Sequence, residues 1–280
     1  MNNKINPLVM GDLEIKVPII QGGMGVRISL APLAAAVANC GAGGTIASVG
    51  LPPDTEENRK DQLGCQRRYL QNEIREARRL SKGAIGVNIM VALSNYEDMV
   101  RTAAKEDINY IISGAGLPIS LPEFAEGSSV KLIPIIASAR GGKLLIKTWK
   151  RRYNRFPDAF VVEGPLSGGH IAGYSLEQLT SMKDNLRAEQ SLENSMKDIL
   201  KLVGDIEKSD GVRIPVIAAG GVFDGKDLAK FLSMGASGVQ IGTRFVATHE
   251  CSVAKEFKEL YLKSREEDII FIQSPVGMPA

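Results

Sequence analysis

The stretch 215-PVIAAGGVFDGKDLAKFLSMGASGVQIGTRF-245 decides the fold. It opens with an almost wholly apolar run, passes through two glycines and reaches Asp224, which can cap a helix over 225–234. Gly235 ends that helix, and a second apolar run, 238-GVQIGTRF-245, follows with its own glycine after the core. The order is strand, helix, strand. Strands apolar on both faces are what a parallel sheet covered by helices requires.

The same alternation extends to both sides. Further strands are predicted over 17–23, 44–50, 84–90, 110–116, 130–138 and 159–165, which brings the total to eight. Ser29 is expected to cap a helix over 30–39 that Gly41 stops, and Asp54 to open a long polar helix reaching about Leu80. Residues 176–209 are too long for one crossover. Being charged and poor in glycine, they read as an ordered insertion of two helices after the sixth strand. An open doubly wound sheet alternates in the same way, but the glycines favour a closed (β/α)8 TIM barrel of the α/β class. They sit at the C-terminal ends of nearly all the strands, and a barrel gathers those ends around one mouth. The expectation is a single barrel domain over 1–280.

Composition narrows the function classes. The 280 residues are 44% hydrophobic and 24% charged with a net charge of +2, so no basic field points to nucleic acid. The cluster 147-KTWKRRYNR-155 reads as the solvated end of a helix. Three scattered cysteines, Cys40, Cys65 and Cys251, fit a reducing, cytoplasmic setting and offer no metal spacing; Cys40 and Cys65 read as helix packing residues. Neither a signal peptide nor a membrane span is visible.

The last two predicted strands end in 218-AAGGV-222 and 241-IGTRF-245, where barrels often bind phosphate. Glycines let backbone N–H groups approach an anion, and Thr243 adds a hydroxyl. The first strand ends in 21-QGGMG-25, which suits a flat ring beside Met24, and Asn88 in 86-GVNIM-90 has an amide for ring heteroatoms or for capping a loop. A planar phosphorylated cofactor uses all of these, and FMN fits better than a dinucleotide, since no GxGxxG opens a βαβ unit. His170, in 161-VVEGPLSGGHIAGYS-175, follows the sixth strand and can exchange a proton near neutral pH or merely satisfy loop carbonyls. Glu163 can orient the site or bond a backbone amide, Ser138 and Ser167 can bond a ligand or close turns, and His249 reads as a surface or capping residue starting the last helix.

In this order, QGGMG, GVNIM, SGAG, EGPLSGGHIAG, IPVIAAGGV and VQIGTRF resemble the nitronate monooxygenase family, formerly the 2-nitropropane dioxygenases. The FMN-dependent enoyl-acyl-carrier-protein reductases share the same set. The resemblance, over about 15–250, implies a barrel with non-covalent FMN. It implies ring contacts from Gly22, Gly23, Met24 and Asn88, phosphate and ribityl contacts from Gly168, Gly169, Gly220, Gly221, Gln240, Gly242 and Thr243, and His170 as the active-site histidine. It implies oxidation of alkyl nitronates with dioxygen to a carbonyl compound and nitrite. The alternatives are an enoyl thioester reductase using NAD(P)H and a flavin-binding module without turnover. Similar proteins continue past 274-SPVGMPA-280, so the expectation is either a shortened C-terminus or a partly missing substrate cover.

Overall fold

A computed structural model of the chain describes residues 5–50, 55–171, 175–182, 192–274 and 277–280. It begins with an antiparallel hairpin, β1 (Leu8–Met10) and β2 (Leu13–Ile15), and continues with eight parallel strands. These are β3 (Ile19–Gln21), β4 (Gly44–Ala47), β5 (Ile85–Met90), β6 (Tyr110–Gly114), β7 (Lys131–Ile136), β8 (Phe160–Glu163), β9 (Val216–Ala219) and β10 (Gly238–Ile241). The hydrogen-bonded order β3-β10-β9-β8-β7-β6-β5-β4 closes on itself through a parallel bridge between Ile20 and Gly43. There Gln21 N donates to Gly43 O at 2.8 Å and Gly43 N to Ile19 O at 2.9 Å. The eight strands expected from the sequence are therefore the eight staves of a TIM barrel.

The hairpin was not foreseen, and it plugs the base. Leu8, Met10 and Ile15 are buried in the barrel interior with Ile20, Tyr110, Ile133 and Ile217. Lys131, at the start of β7, pairs with Asp12 in the hairpin turn. Inside the barrel the Tyr110 ring fills the space beside Gly86, where an added Cβ would lie 2.1 Å from the ring. Its hydroxyl donates to Gly44 O at 2.8 Å and meets Thr45 Oγ1 at 3.0 Å.

Outside the strands run α1 (Ala31–Asn39), α2 (Glu56–Lys60), α3 (Gln62–Leu80), α4 (Tyr96–Ala104), α5 (Leu121–Phe124) and α6 (Ala139–Tyr153). They are followed by α7 (Leu176–Met182), α8 (Leu192–Asp210), α9 (Gly225–Ser233) and α10 (Lys255–Lys263). Among its described residues the insertion holds two helices, α7 and α8. Asp224 caps α9 as expected, accepting from Lys226 N at 2.8 Å and Asp227 N at 3.2 Å. Asp54 lies outside the described residues; Asp61 caps α3. Ser29 does not cap α1, whose N-cap is Leu30 with no side-chain bond. The Ser29 hydroxyl is buried in a different network. Cys40 is exposed at the end of α1, and Cys251 is the buried one. His249 is exposed in a turn six residues before α10 and does not start it. The basic cluster ends α6 with Lys147, Lys150, Arg151 and Arg152 exposed and only Trp149 and Thr148 inward. Among the described residues no helix is long and apolar enough to cross a membrane.

Candidate active site

The C-terminal ends of the parallel strands share one mouth. At the end of β3, Gln21 is fully buried, and its amide ties the following loop down. Gln21 Nε2 donates to Gly22 O and to Ser29 Oγ, both at 2.7 Å, and its Oε1 accepts from Thr45 N at 3.0 Å. Met24 N donates to Ser29 Oγ at 3.0 Å. This knot fixes residues 22–24 in the mouth. Sequence reading missed it, although a polar residue closing an apolar strand was a signal in plain view.

The glycines show how closely the loops meet. A Cβ added to Gly22 would lie 3.5 Å from Gly242 Cα and 3.6 Å from Gln240 Cγ. One on Gly242 would lie 3.7 Å from Met24 Sδ, and one on Gly168 would lie 3.6 Å from Thr243 Oγ1. Gly220 and Gly221 have φ of +88° and +84°, a conformation costly to other residues, and Ser167 Oγ and Leu166 occupy the space on their inner sides. Gly169 also has positive φ, +83°, with no described atom within 4 Å of an added Cβ. The loops after β3, β8, β9 and β10 therefore form one continuous wall with exposed backbone. Gly23 differs. An added Cβ would lie 2.2 Å from Asn88 Cβ, so its missing side chain makes room for Asn88 from β5.

Two polar side chains mark this wall. Gln240 Oε1 is buried and has no hydrogen-bond partner among the described residues. A buried acceptor without a donor costs about 1–3 kcal/mol, which a bound donor would relieve. Arg244, directly after Thr243, lies over the Phe223 ring at 4.3 Å from its centroid and adds a positive charge beside the glycine loops. Sequence analysis passed over Arg244 because nothing local marks a stacked guanidinium.

His170 is half-buried after β8, and burial lowers its pKa, which favours the neutral imidazole. Glu163, at the end of β8, is crowded by protein although the residue keeps some surface. Desolvation pushes its pKa up to about 7, partly opposed by the neighbouring Ser167 hydroxyl. Ser167 Oγ spends its one proton on Gly164 O at 2.6 Å, closing the turn. Ser138 caps α6 and accepts from Gly141 N at 3.3 Å, so it serves structure. The last residues fold back as a hairpin, with Ala280 N donating to Ile272 O at 2.9 Å. Ile171 N donates to Pro279 O at 2.9 Å, which docks that hairpin beside His170.

The mouth therefore combines a backbone-lined cradle, an unpaired buried acceptor, a fixed guanidinium and a neutral imidazole. Those parts fit a flat ring carrying a phosphate: the cradle and Arg244 suit the anion, and Gln240, Asn88 and Met24 suit the ring and its linker. No cluster of metal-ligating side chains occurs among the described residues.

Comparison with known proteins gives a consistent result. The sequence model of the nitronate monooxygenase family matches residues 6–280. A curated relative, (3aS,4S,5R,7aS)-5-hydroxy-7a-methyl-1-oxo-octahydro-1H-indene-4-carboxyl-CoA dehydrogenase of Rhodococcus jostii, is 28% identical over 94% of this chain. The match spans 61% of that protein, so the chain covers about three fifths of its length. A probable nitronate monooxygenase of Staphylococcus saprophyticus is 25% identical over 99% of this chain and 78% of its own. The structure of FabK from Thermotoga maritima superposes with a TM-score of 0.72 at 28% identity, over 95% of this chain and 70% of that one.

Proposed function

The chain belongs to the nitronate monooxygenase family, and on that premise we propose that it is an FMN-dependent oxidoreductase working at the C-terminal mouth of its barrel. The family implies a flavin; FMN is the form that suits a single phosphate cradle with no dinucleotide motif. The carrying observation is the convergence on one wall of Gly22, Gly242, Thr243 and Gly168 with the unpartnered Gln240 Oε1. In this reading Gly220, Gly221, Gly242, Thr243, Gly168 and Gly169 offer backbone and hydroxyl donors to the phosphate and ribityl chain. Gly22, Gly23, Met24 and Asn88 face the ring, with Asn88 seated in the space Gly23 leaves.

Bound FMN supplies the redox chemistry. The protein supplies the rest. His170, held neutral by partial burial, can take the proton α to a nitro group or hold the oxygens of a nitronate. The substrate that fits the family best is an alkyl nitronate, oxidised with dioxygen to a carbonyl compound and nitrite, in a cytoplasmic setting. A second reading is favoured by a specific observation: the Rhodococcus relative is named for a coenzyme A thioester. On that reading the mouth would take reducing equivalents from NAD(P)H and deliver them to an enoyl thioester.

The test is anaerobic flavin reduction by each substrate class in wild type and His170→Ala, after confirming that FMN and not FAD is released on denaturation. His170→Ala is expected to lose roughly 10²–10⁴-fold on a neutral nitroalkane and less on the preformed nitronate. Equal losses on both remove the base role. Fast reduction by a nicotinamide with enoyl turnover and no nitronate oxidation selects the second reading. Protein that is colourless and cannot be loaded with FMN overturns the proposal as a whole.

A further inference from the structure

Glu163 is the last residue of β8, and the alternation of that strand fixes its direction. Phe160 and Val162 pack into the core between sheet and helices, and Val161 packs into the barrel interior. Glu163 therefore points inward, at the mouth end of the interior. It stands beside Ala219 of β9, which in turn stands beside Gln240 of β10. The elements packed against β8 are β7, β9 and α8. The one charged residue of β7, Lys131, lies at the base and pairs with Asp12, and β9 carries no charge. α8 turns Leu192, Met196, Ile199 and Val203 toward the outer side of the sheet, so its charged residues lie across the strand from the carboxyl, with Glu193 paired to Lys230. In the neighbouring loops, His170 is kept neutral by burial and Arg244 stacks on Phe223.

The group that does reach the carboxyl is Ser167, which lies within hydrogen-bonding distance of it. Ser167 is also the clasp of the turn after β8. Its Oγ donates to Gly164 O at 2.6 Å, where its own N–H adds only a longer bond of 3.2 Å. The closed turn fits against β9: a Cβ added to Gly220 would lie 2.4 Å from Ser167 Oγ and 3.0 Å from Gly164 O. The chain then runs directly into Gly168, Gly169 and His170. A serine hydroxyl has one proton. While that proton is on Gly164 O, Ser167 Oγ can only accept, so a bond from Glu163 requires the carboxylic acid. An ionised carboxylate has no proton to give and, as the stronger acceptor, competes with Gly164 O for the serine proton. Desolvation favours the acid and puts the changeover at about 7.

We infer that Glu163 is a positioning residue for the cofactor wall. As the acid it donates to Ser167 Oγ and leaves the turn closed. As the carboxylate it draws the Ser167 proton off Gly164 O and loosens the segment that carries Gly168, Gly169 and His170. The inference rests on the reading that this segment contacts FMN, and it adds a regulation of that contact. Cofactor affinity falls as pH rises through the ionisation of Glu163. The phosphate of FMN works in the opposite sense: it gains its second charge at about pH 6, which strengthens binding to a backbone cradle on the same rise.

The test is the FMN dissociation constant at pH 7 and pH 8.5, read from the change in flavin fluorescence on binding. Wild type is expected to bind about three- to tenfold more weakly at pH 8.5. Glu163→Gln keeps a donor for Ser167 at every pH and is expected to hold its pH 7 affinity. Ser167→Ala removes the clasp, so it is expected to bind more weakly than wild type at pH 7 with no further loss by pH 8.5. Wild-type affinity that stays constant or rises overturns the inference, and so does an alkaline loss as large as that of wild type in either folded variant. Hydrogen exchange over residues 164–171 of the apoprotein gives a second readout. Wild type is expected to exchange faster than Glu163→Gln at pH 8.5 and equally at pH 6. Protein that takes up no FMN at any pH sinks the cofactor reading, whereas equal exchange in the two proteins at pH 8.5 sinks the role of Glu163.

Discussion

Two ionisable side chains at the mouth respond to pH in opposite senses. Glu163 has its folded pKa raised to about 7 from an ordinary 4.5. Between those values the folded chain keeps a proton that the unfolded chain has lost, so this group's contribution falls as pH rises through that window. His170 has its pKa lowered, so its protonation favours the unfolded chain and stability falls as pH drops below about 6.5. Glu163→Gln is expected to flatten the alkaline side of the apoprotein's stability profile, adding roughly 1–3 kcal/mol at pH 8 and little at pH 4. Urea unfolding at pH 4, 6 and 8 measures it; an equal gain at every pH shows that folding does not raise the Glu163 pKa. Both residues were visible in 161-VVEGPLSGGHIAGYS-175, but their ionisation was not, because it depends on what else the fold buries beside them. Ser29 teaches the same lesson. Its position before an apolar helix suggested a cap, whereas its hydroxyl receives Gln21 Nε2 and Met24 N. Ser29→Ala should cost about 1–3 kcal/mol by leaving those buried donors short of an acceptor, read as a lower urea midpoint.

At the scale of elements, legibility followed the length and polarity of each segment. The eight barrel strands announced themselves as apolar runs because helices cover them on one side and the interior on the other. The hairpin did not. Its strands are three residues each, separated by a turn at Gly11 and Asp12 and carrying Glu14, so no periodic signal could form. The α9 start was legible because an Asp224 cap is purely local chemistry, with Asp227 completing a capping box. Gly86 was read only as part of an apolar strand, and the reason for a glycine there is tertiary: the Tyr110 ring occupies its side-chain space. Gly86→Ala is therefore expected to destabilise by about 1–3 kcal/mol or more through overpacking. Adding Tyr110→Leu should recover part of the loss if that contact is the cause. A thermal-melt double-mutant cycle in which the two changes simply add would rule the contact out.

Across the whole molecule the barrel divides stability from chemistry. Its base is filled by Leu8, Met10 and Ile15 from the hairpin, stacked under Ile20, Tyr110 and Ile217. Its mouth is built of glycine loops, an unpaired Gln240 acceptor and a half-buried histidine, features that add little to stability and that suit a ligand. The sequence located the glycine loops because each glycine lies next to a strand end in the chain. It could not place the Ser167 hydroxyl against Gly220, since that requires knowing which loops meet. The division has a measurable consequence. Met10→Ala, at a site with no exposed surface, should cost about 2–5 kcal/mol of apoprotein stability and leave the FMN dissociation constant within about twofold, since it touches no loop of the mouth. Gly221→Val should act on the cofactor as well as on stability. Its positive φ adds about 1–3 kcal/mol of strain, and its Cβ would press on Leu166 at 3.3 Å and shift the loop that lines the cradle, so FMN affinity should fall by at least about tenfold. Saturating FMN should raise the melting temperature of Met10→Ala by about as much as it raises wild type, because a ligand at 100 times its dissociation constant adds about 2.7 kcal/mol whatever the starting stability. If Met10→Ala weakened FMN binding as much as Gly221→Val, the base and mouth would be one cooperative unit and the division argued here would not hold.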